Sequence, residues 1–356
     1  MNILGTGIIF AQGLGVGTLE RALCNGWQKP STIAVPQSAG RTRPVYQVDL
    51  GAVPDRTLLK KIRRADKLSK MAVLAAADAL ADSGIADINR KKIGIILATA
   101  FGAQVTTFEF LDGILDYGDT GVSPTTFSNS VHNAAASYVS SSLNIQGPTL
   151  TVTQFRFSFQ TALQLARTWL EQGRCEYLLV GAVDHYGDVL GYISEQKLNT
   201  ANDGRIKPFV FNPTCQAPGE GSVFFVLGRD QTENASCSVN AIAIGDDPDC
   251  GKPVDINLID ADGMLQDESD YLSSLSPDIL TTAYSPLFGT MMIGGAFNLA
   301  AAALMLKRQT LYVAPVRDNP HNLLLVNETG PARIGSIRSI GCACFGKKSV
   351  VYLSKL

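Results

Sequence analysis

Residues Gly147 to Glu171 read GPTLTVTQFRFSFQTALQLARTWLE and change character in their middle. The run from Thr149 to Thr153 is rich in β-branched residues, which favours a strand. From Ser158 onward the apolar residues recur at helical spacing and form one face that can pack on a core. That face consists of Ala162, Leu163, Leu165, Ala166, Trp169 and Leu170. The stretch therefore predicts a strand followed by a core-facing helix from Ser158 to Glu171.

The same alternation of strand and helix patterns runs through the rest of the chain. A helix rich in alanine and leucine around Met71 to Leu80 is predicted to end at Ser83-Gly84, because glycine commonly ends a helix. Further strands are predicted at Asn2 to Phe10, Ile93 to Ala98, Glu176 to Val183, Ser222 to Leu227, Ser236 to Ile244, Ile256 to Ile259, Leu323 to Val326 and Ile337 to Leu353, the last with a turn at residues 346–348. Further helices are predicted at Leu19 to Asn25, Val105 to Tyr117 and Gly295 to Lys307. This alternation is typical of an α/β protein.

The length of 356 residues predicts two core-bearing halves, because a single hydrophobic core rarely grows beyond about 250–300 residues. A polar, turn-rich stretch from Gly228 to Ala235 separates two runs of strands and helices. We therefore predict an N-terminal half over residues 1–230 and a C-terminal half over residues 231–356. Two similar runs in tandem indicate an internal duplication.

The composition argues against several classes of function. Lysine and arginine number 30 and aspartate and glutamate 32, so the net charge of -2 gives no electrostatic basis for binding nucleic acid or an anionic membrane. The apolar run around Ala300 to Leu306 is far shorter than the ~20 residues that cross a bilayer. The start of the chain at Met1 indicates no targeting peptide, and we expect a cytoplasmic protein.

The cysteines indicate neither a disulfide framework nor a metal site. Their number is odd and no C-x-x-C pair occurs. Reduced thiols fit a cytoplasmic protein, and we expect no metal and no cofactor. The seven are Cys24, Cys175, Cys215, Cys237, Cys250, Cys342 and Cys344.

Several segments, taken in their order and spacing, resemble those of the β-ketoacyl synthases of the thiolase superfamily. They are Arg63 to Ile85, Asn129 to Pro148, Pro208-Phe209 with Gly219-Glu220-Gly221, and Gly289 to Leu306. The resemblance extends from Met1 to Leu356. It implies an α/β thiolase fold in which duplicated βαβαβαββ halves form an α/β/α/β/α layered core.

The positions that the resemblance assigns to catalysis carry other residues. Ketosynthases use a cysteine of lowered pKa as nucleophile and two histidines that stabilise the developing enolate. The resemblance places Arg156 at the cysteine position, Asp260 at the first histidine position and Thr290 at the second. A guanidinium stays protonated and cannot attack a thioester, and no histidine lies between His185 and His321. The resemblance therefore implies a pseudoenzyme without an intact Cys-His-His triad.

Within this superfamily the chain resembles the chain length factors of type II polyketide synthases, through Asp260 to Gly263 and Thr107 to Leu111. Its compact length and Arg156 are similar to the factors of aryl polyene clusters. The resemblance implies a non-catalytic subunit of an acyltransferase complex that pairs with an active ketosynthase, as a heterodimer or a dimer of heterodimers. The pair would elongate polyketide or polyene chains bound to acyl carrier protein, with neither nucleic acid nor membrane as a partner.

The resemblance also places a substrate tunnel and the subunit interface beside the predicted helix from Val105 to Tyr117. The strand from Thr149 to Thr153 is implied to pair across that interface. From the pattern alone, an ordinary core face is the more common meaning of the apolar stripe on the helix. The predicted tunnel and interface residues are Phe108, Phe110, Leu111, Ile114, Leu115, His132, Asn133, Phe155 and Phe157.

Two other functions stay open at this point. One is a stand-alone acyltransferase or thioesterase that uses a hydroxyl such as that of Ser158, although no histidine is placed to activate it. The other is an acyl-binding homodimer that keeps the tunnel without chemistry. Arg156 forms a hydrogen-bonded plug at the old active site, points toward an acidic partner, or extends into solvent from a pocket no longer used. The three histidines, His132, His185 and His321, are assigned structural or solvent-facing roles.

Overall fold

The computed structural model of the chain describes most of its residues. The described residues are 1–35, 41–85, 88–211, 213–230, 235–246, 248, 253–264, 269–343 and 346–356. Cys250 and Cys344 lie outside them. So does residue 231, and the boundary between residues 230 and 231 therefore stays a prediction.

The described residues form fifteen strands and eleven α-helices. The strands are β1 (Asn2–Phe10), β2 (Gly13–Leu14), β3 (Ser31–Ala34), β4 (Thr42–Val45), β5 (Ile93–Thr99), β6 (Thr149–Thr153), β7 (Tyr177–Asp184), β8 (Gly221–Gly228), β9 (Cys237–Gly245), β10 (Ile256–Ile259), β11 (Leu280–Thr282), β12 (Thr310–Leu311), β13 (Gly330–Pro331), β14 (Ser336–Cys342) and β15 (Lys348–Ser354). The helices are α1 (Val16–Asn25), α2 (Thr57–Lys61), α3 (Lys67–Ser83), α4 (Gln104–Tyr117), α5 (Pro124–Asn129), α6 (Ala134–Leu143), α7 (Ser158–Glu171), α8 (Asp188–Lys197), α9 (Ser269–Leu272), α10 (Ser285–Phe288) and α11 (Gly294–Arg308).

One large mixed sheet repeats the same strand order in its two halves. Its order is β11-β10-β14-β15-β9-β1-β8-β7-β5-β6, with β2 beside β1. From its edge inward, the N-terminal half has the order β6, β5, β7, β8 and β1, and the C-terminal half has the order β11, β10, β14, β15 and β9. In both halves the first three strands of this order are parallel, and the fourth runs antiparallel to both of its neighbours. The halves meet where β1 pairs with the start of β9.

Helices and strands alternate in layers through the core. One buried cluster joins α7 and α11 to strands of both halves, and includes Phe159, Phe297 and Val351. A second cluster packs α3 and α6 against the other side of the N-terminal strands. A smaller third cluster places Tyr271 of α9 with Ile340 of β14. The predicted α/β class is confirmed.

Helix α3 lies directly against strand β1 because two glycines clear the way. A Cβ atom at Gly7 would lie 2.0 Å from the carbonyl oxygen of Ala75, and one at Gly5 would be almost as close to the helix backbone. The Thr6 N–H donates a hydrogen bond of 2.9 Å to the Asp82 carboxylate. This close contact fixes α3 on the N-terminal half of the sheet.

The predictions of a strand from Thr149 to Thr153 and of a helix from Ser158 to Glu171 are confirmed. Strand β6 and helix α7 have the predicted bounds, and Gly84 ends α3 in a left-handed conformation with φ 70°. The predicted strand at Leu323 to Val326 is wrong, because only Leu325 forms a bridge, to Thr281. The Asn319 side chain takes both backbone groups of Leu323, at 2.9 and 3.1 Å, and keeps them out of a ladder.

The connection between β9 and β10 is ten residues long, and its described residues, 246, 248 and 253–255, contain no helix. The N-terminal half, by contrast, has α3 between its first two long strands.

Across the described ranges, no helix combines the length and the apolar character that a membrane span requires.

We predict that Gly7→Ala lowers the free energy of unfolding by about 1–3 kcal/mol or more, because the new methyl group overlaps the α3 backbone. Urea unfolding followed by circular dichroism measures this change. Gly17→Ala is the matched control, since a Cβ there meets no atom within 4 Å. A helical alanine at position 17 is expected to leave stability unchanged or to raise it by up to about 1 kcal/mol. Equal losses in both variants would contradict the argument.

Candidate functional site

The candidate site begins at the turn between β6 and α7. Phe157 immediately precedes α7 and has φ 64°, so the backbone turns through the left-handed region there. The Thr161 N–H donates to the Phe157 carbonyl at 2.8 Å, which fixes the first turn of α7. A helix N-terminus favours a negative group. Arg156, one residue earlier, places a positive side chain at this turn instead.

The Arg156 guanidinium is held inside the protein rather than extended into solvent. Its Nη1 lies 3.3 Å from Asp262 Oδ2 and its Nη2 3.4 Å from Met264 Sδ, and its side chain is 17% exposed. Burial alone would lower the pKa of Arg156, but the nearby charges of Asp262 and Asp260 outweigh it and raise that pKa. The group is therefore a permanent buried cation in an ion pair.

Asp260 lies deeper, behind this ion pair. Its Oδ1 accepts hydrogen bonds from the Tyr271 hydroxyl and from the Ala261 N–H, the latter at 2.8 Å. Burial and the charge of Asp262 raise the pKa of Asp260 to about 7, although Arg156 acts in the opposite direction. Asp260 therefore changes its protonation near neutral pH, unlike an exposed carboxylate.

Thr290, the residue expected at the second histidine position, has its hydroxyl engaged in hydrogen bonds. Its Oγ1 donates to the carbonyl oxygen of Asp262 at 2.6 Å and accepts from the Ala217 N–H at 3.1 Å. The structure therefore brings Arg156, Asp260 and Thr290 together around Asp262, which the sequence did not single out. The Asp262 carboxylate pairs with Arg156, its charge raises the pKa of Asp260, and its carbonyl accepts a hydrogen bond from Thr290.

A cavity of about 580 Å³ opens beside Arg156 and Thr290. Its walls are mainly apolar, and Phe155 lies at its edge with 66% of its surface exposed. The Phe155 ring contacts that of Phe101 at 5.6 Å between centroids. The main apolar lining residues are Phe101, Phe155, Leu190, Ile193, Leu198, Met264, Met291 and Met292.

A buried acidic network lies next to residues that line this cavity and was missed by the sequence reasoning. Glu220 is fully buried, forms an ion pair with Lys67 and lies 3.6 Å from His185 Nε2. It also accepts the backbone N–H groups of Val48 and Tyr186, at 2.8 and 3.2 Å. Burial lowers the pKa of His185, which favours its neutral form. The available signal was the position of Glu220 beside an apolar strand. That position predicts a buried charge, and a buried charge needs a partner.

Asp184 is the second buried acid of the cavity wall. Its Oδ1 accepts hydrogen bonds from the Thr99 hydroxyl and from the N–H groups of Ala100 and Phe101, at 2.7, 3.0 and 3.3 Å. Burial raises the pKa of Asp184 to about 6. These bonds fix the loop that leads from β5 into α4, and give Asp184 a structural task.

The structure brings no activated nucleophile to the cavity among the described residues. Ser158 is fully buried, and its Oγ makes no hydrogen bond within them. None of the described cysteines lines the cavity. Burial raises the pKa of the Cys175 thiol and raises that of Cys237 to about 12, so both remain protonated thiols.

The predicted interface residues on α4 are largely exposed. Thr106 is the one α4 residue that is buried, whereas Leu115 is 83% exposed and Phe108 and Leu111 are also exposed. Phe110 and Ile114 are half-buried, and the Phe110 ring contacts Phe127 of α5 at 5.4 Å. The alternative interpretation of this stripe as a core face does not fit these exposures.

The remaining predicted positions differ from one another. His132 and Asn133 are exposed at the turn before α6. Phe157 is buried, lies beside Gly341 and is not among the residues that line the cavity, because its left-handed backbone directs it into the core. Of the two phenylalanines that flank Arg156, only Phe155 reaches the cavity.

The sequence model of the family described as Beta-ketoacyl synthase, N-terminal domain, matches residues 1–233. The chain belongs to the β-ketoacyl synthase family. The PKS-NRPS hybrid synthetase acdB of Aspergillus candidus is 32% identical over 138 residues, which are 38% of this chain and 5% of that protein. Nodulation protein E of Rhizobium meliloti (strain 1021) is 28% identical over 143 residues, which are 39% of this chain and 36% of that protein. The match thus spans about a third or less of either relative.

Solved ketosynthases share the fold over the full length. A type II PKS ketosynthase, solved with its acyl-carrier protein and bound to the hexaketide, gives a TM-score of 0.80 at 15% identity and covers 100% of this chain and 99% of that chain. The ishigamide ketosynthase/chain length factor gives 0.80 at 15% identity, over 100% and 98%. A β-ketoacyl synthase from Burkholderia phymatum STM815 gives 0.78 at 16% identity, over 100% and 99%. The predicted thiolase-type ketosynthase fold is confirmed.

We predict that Asp262→Asn lowers the free energy of unfolding by about 3 kcal/mol, because it leaves the buried Arg156 cation without its nearest counter-ion. Adding Arg156→Met should restore most of the loss, since the charge that needs the counter-ion is then gone. Chemical denaturation of both single variants and the double variant measures the coupling. Glu176→Gln, which breaks the exposed 2.7 Å pair with Lys92, is the control and should cost less than about 1 kcal/mol. Additive losses would rule out a buried pair.

We predict that the Asp260 carboxyl makes the chain less stable as pH rises from about 4 to about 7. In the unfolded chain this carboxyl loses its proton near 3.8, whereas in the folded chain it keeps the proton until about 7. The unfolded state is therefore favoured increasingly across that window, and the contribution is complete below 3.8 and lost above 7. The measurement compares the pH dependence of unfolding in the unmodified chain and in Asp260→Asn. The variant should show the shallower fall, and identical slopes would contradict the assignment.

Proposed function

We propose that this chain is a non-catalytic ketosynthase subunit of the chain-length-factor type, which completes an active ketosynthase. The observation that carries the proposal is the Arg156–Asp262 ion pair, because the sequence resemblance assigns Arg156 to the position of the nucleophilic cysteine. The arginine is paired and permanently charged. It supplies neither a thiolate nor a base.

The surroundings of Arg156 also lack the other half of the ketosynthase chemistry. Decarboxylative condensation needs groups that stabilise an enolate. Thr290 uses its hydroxyl to bind the Asp262 carbonyl, and the Asp260 carboxyl is engaged with the Tyr271 hydroxyl and the Ala261 N–H. Both features oppose the reaction. A role in completing a partner's site fits them better than a reaction of its own.

The N-terminal half offers an interface to such a partner. Strand β6 ends the sheet, with β5 on one side and no strand beside its other edge in the described part of the chain. Exposed sheet edges are usually covered by another chain or otherwise blocked. Leu150 of β6, Leu115 and Tyr117 of α4, and Phe127 of α5 are exposed apolar residues of this half. We propose that an active ketosynthase covers them.

The proposed substrate is a chain carried by acyl carrier protein. Between residues 55 and 64, Arg56, Lys60, Lys61, Arg63 and Arg64 are exposed cations, and Asp55 is the one carboxylate. The Asn129 amide of α5 donates to the Arg64 carbonyl at 2.8 Å, which ties this basic segment to the exposed α4 and α5 region. An acidic carrier protein is attracted to such a surface.

The structural neighbours support these partners, since they include a ketosynthase/chain length factor and a type II PKS acyl-carrier protein in complex with its ketosynthase. We extend the proposal to polyene chains on the basis of Arg156 and the compact length. The half-buried Phe110 and Ile114, with the exposed Phe108, Leu111 and Leu115, would border the tunnel and limit chain length.

The test is co-expression with the ketosynthase encoded beside this chain. We expect a 1:1 complex in size-exclusion chromatography with mass determination, and elongation of malonyl units on acyl carrier protein only when both chains are present. Leu115→Glu should weaken the complex about tenfold or more, because a central interface residue contributes about 2 kcal/mol. Leu324→Glu alters an exposed leucine of the other half and is the control.

Elongation by this chain alone would overturn the proposal. A stable homodimer with no affinity for the ketosynthase would also overturn it. A complex that forms but tolerates Leu115→Glu would place the interface away from α4.

A further inference from the structure

Helix α8 forms one wall of the Arg156 cavity but is weakly held. Leu190, Ile193 and Ser194 line the cavity from this helix, and Tyr192 is exposed on it. Gly191 is its one fully buried residue. Most helices of a core bury an apolar stripe, which supplies most of their stability. Helix α8 has no such stripe and depends on a few specific contacts.

The two ends of α8 are fixed. At the start, a Cβ on Gly187 would lie 2.5 Å from Val105 Cγ2, so the chain passes in tight contact with α4. After the end of the helix, the Ala201 N–H donates to the Gln216 carbonyl and the Gln216 N–H donates to the Asn199 carbonyl, each at 2.8 Å. These attachments lie outside the helix, and leave its middle to be held by something else.

The middle of α8 is held by Arg43, which comes from the separate β3–β4 hairpin. Arg43 is 3% exposed, and its Nη1 lies 3.5 Å from Glu195 Oε1. Its guanidinium carbon lies 5.4 Å from the centre of the Tyr186 ring. A Cβ on Gly191 would come within 2.1 Å of Arg43 Nη2 and 2.2 Å of the Tyr186 hydroxyl. Only a glycine lets the arginine reach across the helix.

This attachment is strong in charge but poor in hydrogen bonds. None of the three guanidinium nitrogens of Arg43, nor the Tyr186 hydroxyl, makes a hydrogen bond within the described residues. A buried polar group without a hydrogen bond carries its full desolvation penalty. Moving α8 outward would return these groups to water. Their hydration therefore offsets part of the cost of exposing the apolar cavity wall.

We propose that α8 is a lid over the Arg156 cavity and that the Arg43–Glu195 pair is the latch that holds it shut. Opening breaks this ion pair, swings the middle of α8 away between its two fixed ends, and exposes the cavity to solvent. The proposal concerns the free chain, and does not depend on the identity of a partner.

Hydrogen–deuterium exchange of the full chain tests the latch. In Arg43→Gln and in Glu195→Gln we expect amides of residues 188–198 to exchange about tenfold faster or more, which corresponds to the loss of about 1.4 kcal/mol of closing free energy. Exchange in α3 should not change. Gly191→Ala keeps both charges but displaces Arg43, and should give the same increase. Glu176→Gln, which breaks an exposed ion pair elsewhere, is the control.

Peptide-resolved labelling tests whether α8 covers the cavity. Met291 is buried and lines the cavity, so a Met291→Cys thiol should react with N-ethylmaleimide about tenfold faster when Arg43→Gln is added. Unchanged α8 exchange in the latch variants would overturn the proposal. Exchange that rises equally in α3 would show that Arg43 supports the whole fold, and unchanged labelling would show that α8 does not close the cavity. None of these outcomes bears on complex formation with a ketosynthase.

Discussion

A buried positive charge at the turn between β6 and α7 has to be neutralised, and the surroundings of the cavity are arranged around that requirement. Helix α7 presents its positive end to this turn, so the Arg156 guanidinium begins from an unfavourable position. Asp262 supplies the nearest negative charge, and Asp260 lies behind it. Thr290 then fixes Asp262 through its carbonyl. Three segments that are distant in sequence are tied together by this one charge.

Buried charges and their hydrogen bonds also explain how the cavity keeps its shape. A catalytic group has to be free to exchange protons or to attack, whereas Glu220 and Asp184 are each engaged with backbone N–H groups. Glu220 is bonded to two backbone N–H groups and to Lys67, and Asp184 anchors the loop before α4. Their task is to hold the loops that shape an apolar space. That task needs no nucleophile.

Much of the fold was predictable from the sequence, and much of the site was not. Strand β6 and helix α7 have the predicted bounds because hydrophobic period and side-chain type agree there. The strand expected at Leu323 to Val326 fails because one asparagine side chain, Asn319, competes for its backbone. The partners of buried charges escaped prediction for a related reason. Glu220 and Lys67 are 153 residues apart, and no local pattern states which charges will meet.

The two halves of the chain share a strand order but contribute different side chains to the surface and to the cavity. The N-terminal half exposes Leu115, Phe127 and the edge strand β6, which are costly to leave in water. The C-terminal half contributes Asp260, Asp262 and Thr290, which lie around Arg156. Arg156 lies three residues after the end of β6 and pairs with Asp262, so a single side chain connects the segment after the edge strand to the C-terminal half. The ion pair therefore restrains the turn between β6 and α7 from the other half of the chain.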